Sequence, residues 1–289
     1  MSASSSKASV FRAIAQARRS SRRFQNNRKI PEETLQDILE STMVSTYVRG
    51  HVTSVLWFVL LWLTQSGWFP MQRSPSSFNL QPTHIILVQN QAIKEELSEH
   101  AMLGPGNQFR TRDASAVAVF LSDLEPRKRI DRICQLEKEH RHPNYLNSLP
   151  MTTSFLIGEG HAATLIKGVA TTLLSDIQPM PVVEPVQSWG YKNASLLAQT
   201  FVYAAESNDL ATCIMEGYDN RRVQEILRIP DRYDVPLMVA TGYEYEDPSK
   251  FHKTPRLELS EVVFGDTFGE PLDLEPPSPS KEDETGDAA

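Results

Sequence analysis

Four arginines and two serines lie close together near the amino terminus of the chain. Residues 18–24 read Arg-Arg-Ser-Ser-Arg-Arg-Phe. Arg18 and Arg22 are four residues apart, so a helix over this run would present both guanidinium groups on one face. Guanidinium groups bind phosphate oxygens in pairs, and the run therefore indicates a phosphate site. A solvated basic helix end, favoured by the helix dipole, accounts for the same residues without a ligand.

A second run is rich in hydroxyl and amide side chains. Residues 75–82 read Pro-Ser-Ser-Phe-Asn-Leu-Gln-Pro and lead into the apolar run His84–Val88. These side chains offer several hydrogen-bond donors and acceptors to a polyol chain or to the polar edge of a ring. The ordinary alternative is a turn rich in capping residues.

A third run contains a glycine beside an acid. Residues 214–219 read Ile-Met-Glu-Gly-Tyr-Asp. Because glycine has no Cβ, Gly217 would let a ligand approach the main chain closely. A strand end followed by a glycine turn is the simpler interpretation.

Taken together and in this order, the three runs resemble the nitroreductase family of flavin enzymes. The resemblance covers residues 8–43 and 73–265. It implies an α+β fold with a central mixed sheet flanked by helices, in an intertwined homodimer that holds FMN at its interface. It also implies that NADH or NADPH reduces the flavin. The flavin then reduces an electron-poor small molecule, such as a nitroaromatic or a quinone, by a ping-pong mechanism.

The resemblance also assigns the cofactor ligands. The arginine and serine positions bind the phosphate and the pyrimidine side of the ring, and the loop at 75–82 contacts the flavin of the other subunit. The Glu-Gly pair places a main-chain N–H near the nitrogen that exchanges hydride, and a basic pair past the last strand closes on the phosphate. The expected cofactor-binding residues are Arg18, Arg19, Ser20, Arg22, Pro75, Ser76, Ser77, Asn79, Gln81, Glu216, Gly217, Lys253 and Arg256. No catalytic side chain is expected, since the flavin performs the hydride chemistry. Where Phe78 stands, the family more often has a small polar residue.

Composition excludes several other classes of function. A formal charge of −7 without a dominant basic face argues against a nucleic-acid binder. The two cysteines, Cys134 and Cys213, are far apart and have no metal-ligand spacing, so we expect a reducing compartment and no metal site.

Residues 1–31 contain eight Lys or Arg and no acid, which also fits a mitochondrial transit peptide. Because a cleaved peptide would remove the arginine run, the cytoplasm is the preferred location.

Residues 44–72 differ in composition from the sequence around them. They contain three of the four tryptophans and the continuous apolar run 55–63, but only one charged residue, Arg49. Three interpretations stay open: a buried helix or strand, an interfacial membrane anchor, or a retained intron absent from the functional protein. Nine apolar residues are too few to span a bilayer, which needs roughly 20. We favour the intron, because deletion joins Met43 to Arg73 and leads the preceding helix directly into the Pro-Ser-Ser loop.

Periodicity and capping residues predict one mixed helix-and-strand domain. The predicted helices are a short one through Val10–Ala15, then Pro31–Met43, Gln91–His100, Lys128–His140, Ser188–Glu206 and one capped by Asp219, and the predicted strands are His84–Val88, Ala116–Leu121 and Pro236–Thr241. Residues 143–187 read as a proline-bracketed loop able to form a lid. We expect a flexible terminus at 1–7, the FMN-binding domain at 8–270 and a disordered acidic tail at 271–289. The alternative function is a non-catalytic flavin-binding or membrane-associated protein of the same fold.

Overall fold

The centre of the fold is a four-stranded sheet in the order β1-β2-β6-β5. Its strands are β1 (Thr83–Val88), β2 (Ala116–Asp123), β5 (Ala211–Met215) and β6 (Tyr233–Gly242). The computed structural model describes residues 6–43, 74–158, 160–245 and 254–272. It divides into two units, residues 1–246 and 247–289, and each is described by itself. The sheet belongs to the first unit.

Strand pairing in this sheet is antiparallel between all neighbours. The resemblance had implied a mixed sheet. Within the described residues, the parallel contact on this sheet is an isolated bridge between Ser20 and Thr212 of β5. Two further strands of two residues each, β3 (Ile157–Gly158) and β4 (Glu184–Pro185), pair in parallel apart from the main sheet.

Helices cover both faces of the sheet. The described helices are α1 (Lys7–Ala17), α2 (Glu32–Met43), α3 (Gln91–His100), α4 (Gly104–Asp113), α5 (Ile130–Glu137), α6 (Pro143–Leu156), α7 (His161–Ser175), α8 (Val186–Ser207), α9 (Asn220–Leu227) and, in the second unit, α10 (Leu259–Val262). Strand β2 is buried along its whole length. Its successive side chains point to opposite faces, so Val117 and Val119 join one core, and Ala118 and Phe120 join the other.

The long helix α8 forms most of the second core. Its residues Leu197, Phe201 and Val202 are buried against Phe120 and its neighbours, and the rings of Phe120 and Phe201 meet edge to face at 5.9 Å. Helix α2 packs on the same helix. Ser74, the first described residue after α2, donates a hydrogen bond from its Oγ to Thr200 Oγ1 at 2.6 Å.

Most predicted elements are confirmed, but residues 143–187 are not a loop. They form helices α6 and α7 and the short strands β3 and β4. The predicted helix 128–140 is shorter: a single 3-10 turn at Pro126–Arg129 precedes α5, which ends at Glu137. Ser6 and Lys7, expected in a flexible terminus, are the N-cap and first residue of α1, where Ser9 N donates to Ser6 Oγ at 3.2 Å. The insert 44–72 and nearly all of the tail, residues 273–289, lie outside the described residues.

Candidate functional site

The arginine run is an extended segment and not a helix. Helix α1 ends at Ala17, and Arg18 is its C-cap. The chain then runs along the sheet: Ser20 bridges to Thr212, Ser21 N donates to Thr212 O at 2.8 Å, and Phe24 forms an antiparallel bridge with Glu244. The helical spacing inferred for Arg18 and Arg22 is therefore wrong. Their position on the sheet edge comes from strand-like hydrogen bonds.

Glu244 holds this segment in place. Its carboxylate, 11% exposed, accepts a hydrogen bond from Ser21 Oγ at 2.7 Å and pairs with Arg19 Nη2 at 3.3 Å. Its main-chain oxygen accepts from Gln25 Nε2 at 2.7 Å. Glu244 is not among the residues expected from the sequence, because it lies more than two hundred positions away from the arginines that it contacts.

The other arginines of the run have different surroundings. Arg23 lies over the ring of Phe109 at 5.3 Å and over that of Tyr245 at 5.7 Å. Arg22 is exposed and makes no ion pair within the described part of the chain. Burial raises the pKa of Glu206, and the charges of Arg19 and Arg18 oppose that rise, which places Arg18 near the carboxyl end of α8. Positive charge thus exceeds negative charge along this segment.

The loop at 75–81 has an unusual backbone. Phe78, Asn79 and Gln81 have φ angles of 57°, 52° and 48°, in the left-handed region. Asparagine tolerates that region, but a bulky residue such as Phe78 is strained there. Residues 77–79 form one 3-10 turn, in which Asn79 N and Leu80 N donate to Ser76 O and Ser77 O. A conformation of this kind persists only where the surrounding structure holds it.

Three neighbouring elements hold the loop. Asn193 of α8, itself 3% exposed, accepts from Ser77 N at 2.9 Å. Glu137 at the end of α5 accepts from Asn79 Nδ2 at 2.7 Å. Arg129 donates to Gln81 O at 2.6 Å. Within the loop, Ser76 Oγ accepts from Gln81 N at 3.1 Å. Pro75 and Ser77 are exposed, and Ser76, Asn79 and Gln81 are partly so.

Arg129 is anchored in turn by a buried acid. The Asp123 carboxylate is fully buried, and it accepts from Arg129 Nε at 3.0 Å and from Arg232 Nη2 at 2.6 Å. Burial alone would raise the pKa of Asp123. Hydrogen bonds from Arg232, the Glu125 main chain and Arg129 outweigh burial, so its pKa lies below the usual value. The side chains of Arg129 and His84 are in direct contact.

Glu216 and Gly217 follow β5 directly. Gly217 O accepts from Leu103 N at 2.9 Å and from Asn107 Nδ2 at 3.1 Å. A Cβ at position 217 would lie 2.3 Å from Asn107 Nδ2. A Cβ would fit here only if the end of the Asn107 side chain moved away from Gly217 O, whether or not a ligand also approaches. Glu216 is exposed. Asn107 is a further residue that the sequence patterns did not single out.

The expected basic pair, Lys253 and Arg256, follows the first unit in the sequence. Lys253 lies outside the described residues. Arg256 belongs to the second unit, where its Nη1 donates to Pro255 O at 3.4 Å. The arginine segment and the Glu-Gly pair are both attached to β5, through Thr212 and Met215. At about 3.3 Å per strand residue, those contacts lie on the order of 10 Å apart.

The polar loop, in contrast, lies far from the arginine segment of its own chain. Ser77 contacts α8 at Asn193, whereas Arg18 lies near Glu206 of the same helix. Thirteen residues separate the two helix positions, which corresponds to roughly 20 Å at 1.5 Å per residue. One ligand cannot easily meet both groups within a single chain.

Among the described residues, no helix is both long and apolar enough to cross a lipid bilayer. The same part of the chain holds no group of three His, Cys, Asp or Glu side chains placed to bind a metal ion.

Comparison with known proteins identifies a family. The model of the nitroreductase family matches residues 15–243. A Thermus thermophilus protein named NADH dehydrogenase is 26% identical over 253 residues, which cover 88% of this chain and 94% of that protein. A proposed NAD(P)H nitroreductase of Bacillus subtilis is 27% identical over 178 residues, covering 59% and 72%. A proposed nitroreductase of Exiguobacterium sibiricum, solved in complex with FMN, shares the fold with a TM-score of 0.58 at 17% identity, covering 91% of this chain and 99% of that one.

Proposed function

The chain belongs to the nitroreductase family, and on that basis we propose that it is an FMN-dependent oxidoreductase. It takes hydride equivalents from NADH or NADPH and passes them to an electron-poor small molecule, such as a nitroaromatic or a quinone. The nicotinamide donors are those in the names of its relatives, and FMN is the ligand of the structural neighbour. The observation that carries the proposal is the extended arginine segment, which is fixed to the sheet and keeps an exposed guanidinium group.

The residues of this segment fit a phosphate group. Arg22 is exposed and makes no ion pair with the described residues, and Arg18, the C-cap of α1, precedes it in the same segment. Glu244 binds Arg19 and Ser21, so it fixes the backbone that presents both flanking arginines. Arg18 and Arg22 would hold the phosphate, and Ser20 would bind the pyrimidine side.

At the other end of β5, Gly217 would contribute through its main chain. Its carbonyl is held by Leu103 and Asn107, which fixes the orientation of the adjoining peptide. When bound, FMN supplies the acceptance and donation of hydride. The protein would bind and orient the cofactor, and the positive charge of Arg22 would also favour the negative charge of the reduced flavin. No side chain is required to transfer a proton.

We propose that two chains form each flavin site. Within one chain, the loop 75–81 lies roughly 20 Å along α8 from the arginine segment, as estimated from the helical rise. The loop also presents partly exposed Ser76, Asn79 and Gln81 side chains. A homodimer in which the loop of one chain meets the arginine segment of the other would complete the site. The cytoplasm is the proposed location, which suits two free cysteines.

Cofactor content tests the proposal directly. The purified protein should be yellow and should release FMN on denaturation. It should oxidise NADH or NADPH when a quinone or nitroaromatic is present, with parallel double-reciprocal plots, because donor and acceptor use one flavin face in turn. A colourless protein that does not bind added FMN would contradict the proposed function. Intersecting plots would contradict the ping-pong mechanism alone.

A further inference from the structure

Glu137 occupies a position that is costly for an acid. It is the last residue of α5 and is 7% exposed. Burial penalises a carboxylate, and the carboxyl end of a helix dipole repels negative charge. Among the described residues, its Oε2 has no hydrogen-bond partner. The guanidinium of Arg141, at 3.8 Å, is near enough for an ion pair but too far for a hydrogen bond.

The contact that offsets this cost is with the polar loop. Glu137 Oε1 accepts a hydrogen bond from Asn79 Nδ2 at 2.7 Å. Hydrogen bonds to a charged group are about twice as strong as neutral ones. Asn79 follows the strained Phe78 and has a φ of 52° itself, so this bond also helps to hold the backbone of the loop.

The charge of Glu137 determines which way the Asn79 amide points. A carboxylate only accepts hydrogen bonds, so the NH₂ group of Asn79 must face Glu137. The amide oxygen then points away, where it accepts from Gln81 Nε2 at 3.3 Å. A neutral partner that both donates and accepts would permit either orientation of the amide.

We infer that Glu137 is a positioning residue for the flavin site, acting through Asn79. It orients the Asn79 side chain so that the amide oxygen is available to the flavin and the amide hydrogens point towards Glu137. This inference rests on the proposed function, since the role of Asn79 as a flavin ligand is part of that proposal. Glu137 is not expected to touch the cofactor.

A double-mutant cycle between Glu137 and Asn79 tests the inference. Glu137→Gln keeps the size of the side chain but removes the charge, and it should weaken FMN binding about 5-fold, the difference between a charged and a neutral hydrogen bond. In an Asn79→Ala background, the same change should alter FMN affinity by less than about 2-fold. FMN affinity is measured by the quenching of flavin fluorescence, and the melting temperature of each apoprotein is recorded alongside. Glu139→Gln, at an exposed position two residues further on, is the matched control and should behave as wild type.

Each outcome decides the question. Equal loss of FMN affinity in both backgrounds would show that Glu137 supports the fold generally, and would overturn the inference. A lower melting temperature with unchanged FMN affinity would do the same. If Glu137→Gln does not fold, Glu137→Asp, which keeps the charge but shortens the reach, takes its place in the cycle. Failure of both variants to fold would make the residue structural and would also overturn the inference. A wild-type protein that binds no FMN would instead overturn the proposed function, and this inference with it.

Discussion

The four arginines of residues 18–23 differ in what each can still bind. Arg19 pairs with Glu244, and Arg23 lies over two aromatic rings. Arg22 is exposed, and Arg18, which caps α1, is only partly buried. Arg18 and Arg22 are therefore the guanidinium groups that we expect to contribute most to phosphate affinity.

Replacement of Arg18 by alanine should weaken FMN binding by about 10- to 150-fold, the value of one hydrogen bond to a charged group. The melting temperature of the apoprotein should change little. Arg18 donates a hydrogen bond to Ile14 O from its main-chain N–H, and alanine keeps that group. Titration of the apoprotein with FMN measures the effect. Arg12→Ala, an exposed arginine of α1, is the control and should leave affinity unchanged. Equal affinities in all three proteins would mean that Arg18 belongs to a solvated face.

Substitution of Gly217 should lower the stability of the protein, whereas substitution of Glu216 should have almost no effect. Glu216→Gln should be nearly silent in FMN affinity and turnover, since the proposed role of this pair is through the main chain. Gly217→Ala should lower the free energy of unfolding by about 1 kcal/mol, the low end of the cost of overpacking, because the new Cβ would meet Asn107 Nδ2 at 2.3 Å and that side chain can move only in part. Chemical denaturation of the apoproteins compares the two.

The role of Asn107 can be separated by a second substitution. Asn107→Ala in the Gly217→Ala protein should recover part of the lost stability, since it removes the atom that the methyl group meets. No recovery would show that the backbone at position 217, and not Asn107, is the obstacle.

At the scale of elements, the contact between β1 and the turn before α5 should be sensitive to acid. Burial lowers the pKa of His84 below its ordinary value, and Arg129 adds to this effect. A lowered folded-state pKa means that protons bind the unfolded chain more readily. The contribution of neutral His84 to stability is thus complete above its unfolded pKa of about 6.5 and is lost as the pH falls from there. The same sign holds for Asp123 at lower pH.

Urea denaturation at a series of pH values should therefore show stability falling below about pH 6.5. In His84→Gln the fall between about pH 6.5 and pH 5 should be smaller than in wild type. An identical pH dependence in the two proteins would show that His84 takes no part. Because Arg129 also donates to Gln81 O, we expect the polar loop to loosen in the folded protein only below the lowered pKa of His84.

Local sequence patterns predicted the elements that pack in a regular way. Alternation and apolar runs identified β1 and β2, and the Asp219 cap identified α9. Helix α7, His161–Ser175, was missed, although its exposed residues Leu165, Ile166 and Leu173 fall within about 100° of one another around the helix axis. Prolines 179, 181 and 185 also made the whole region read as a loop, although they lie beyond the end of that helix.

The candidate site could be predicted from the sequence only in part. The residues that offer ligand groups lie in short runs with distinct composition. The residues that position them, Glu244, Asn107, Asn193 and Glu137, are single polar side chains brought in by tertiary contacts. The residues next to each of them in the sequence form no motif that predicts such a role.

At the scale of the whole molecule, the sharing of sites between two chains can be tested by complementation. A chain with Arg18→Ala and Arg22→Ala lacks the arginines that we expect to bind the phosphate. A chain with Ser77→Ala and Asn79→Ala lacks the loop side chains that we expect to contact the flavin of the other chain. Each homodimer should bind FMN poorly. After the two are unfolded and refolded together, roughly a quarter of the sites should be intact, since half of the dimers are mixed and each mixed dimer has one complete site.

Recovery of FMN content and NADH or NADPH oxidation measures the number of intact sites. No recovery, in a preparation shown to contain mixed dimers, would mean that each chain builds its site alone. A wild-type protein that elutes as a monomer in gel filtration would contradict the dimer at the outset.

Deletion of residues 44–72 should leave a folded protein that binds FMN at least as well as the full chain. The residues on either side are attached to one helix: α2 packs on α8, and Ser74 Oγ donates to Thr200 of α8. A direct link between them is therefore compatible with the fold. The deletion protein should also be more soluble, because it lacks three tryptophans and a nine-residue apolar run. Loss of folding on deletion would show that the segment belongs to the core, and transcript reads continuous through codons 44–72 would exclude an intron.

The bridges from Ser20 to Thr212 and from Phe24 to Glu244 also set an order of events during synthesis. The arginine segment leaves the ribosome early, but the strands that hold it are made near the end of the domain. Pairing over such a long stretch of chain is entropically costly and must wait for both partners. A nascent chain stopped before residue 211 thus has its arginines but lacks Thr212 and Glu244, which fix the segment. The flavin is therefore expected to be acquired only after β6 and Glu244 have been translated and the finished chain has paired with a second copy, so a single ribosome-bound chain should retain no FMN.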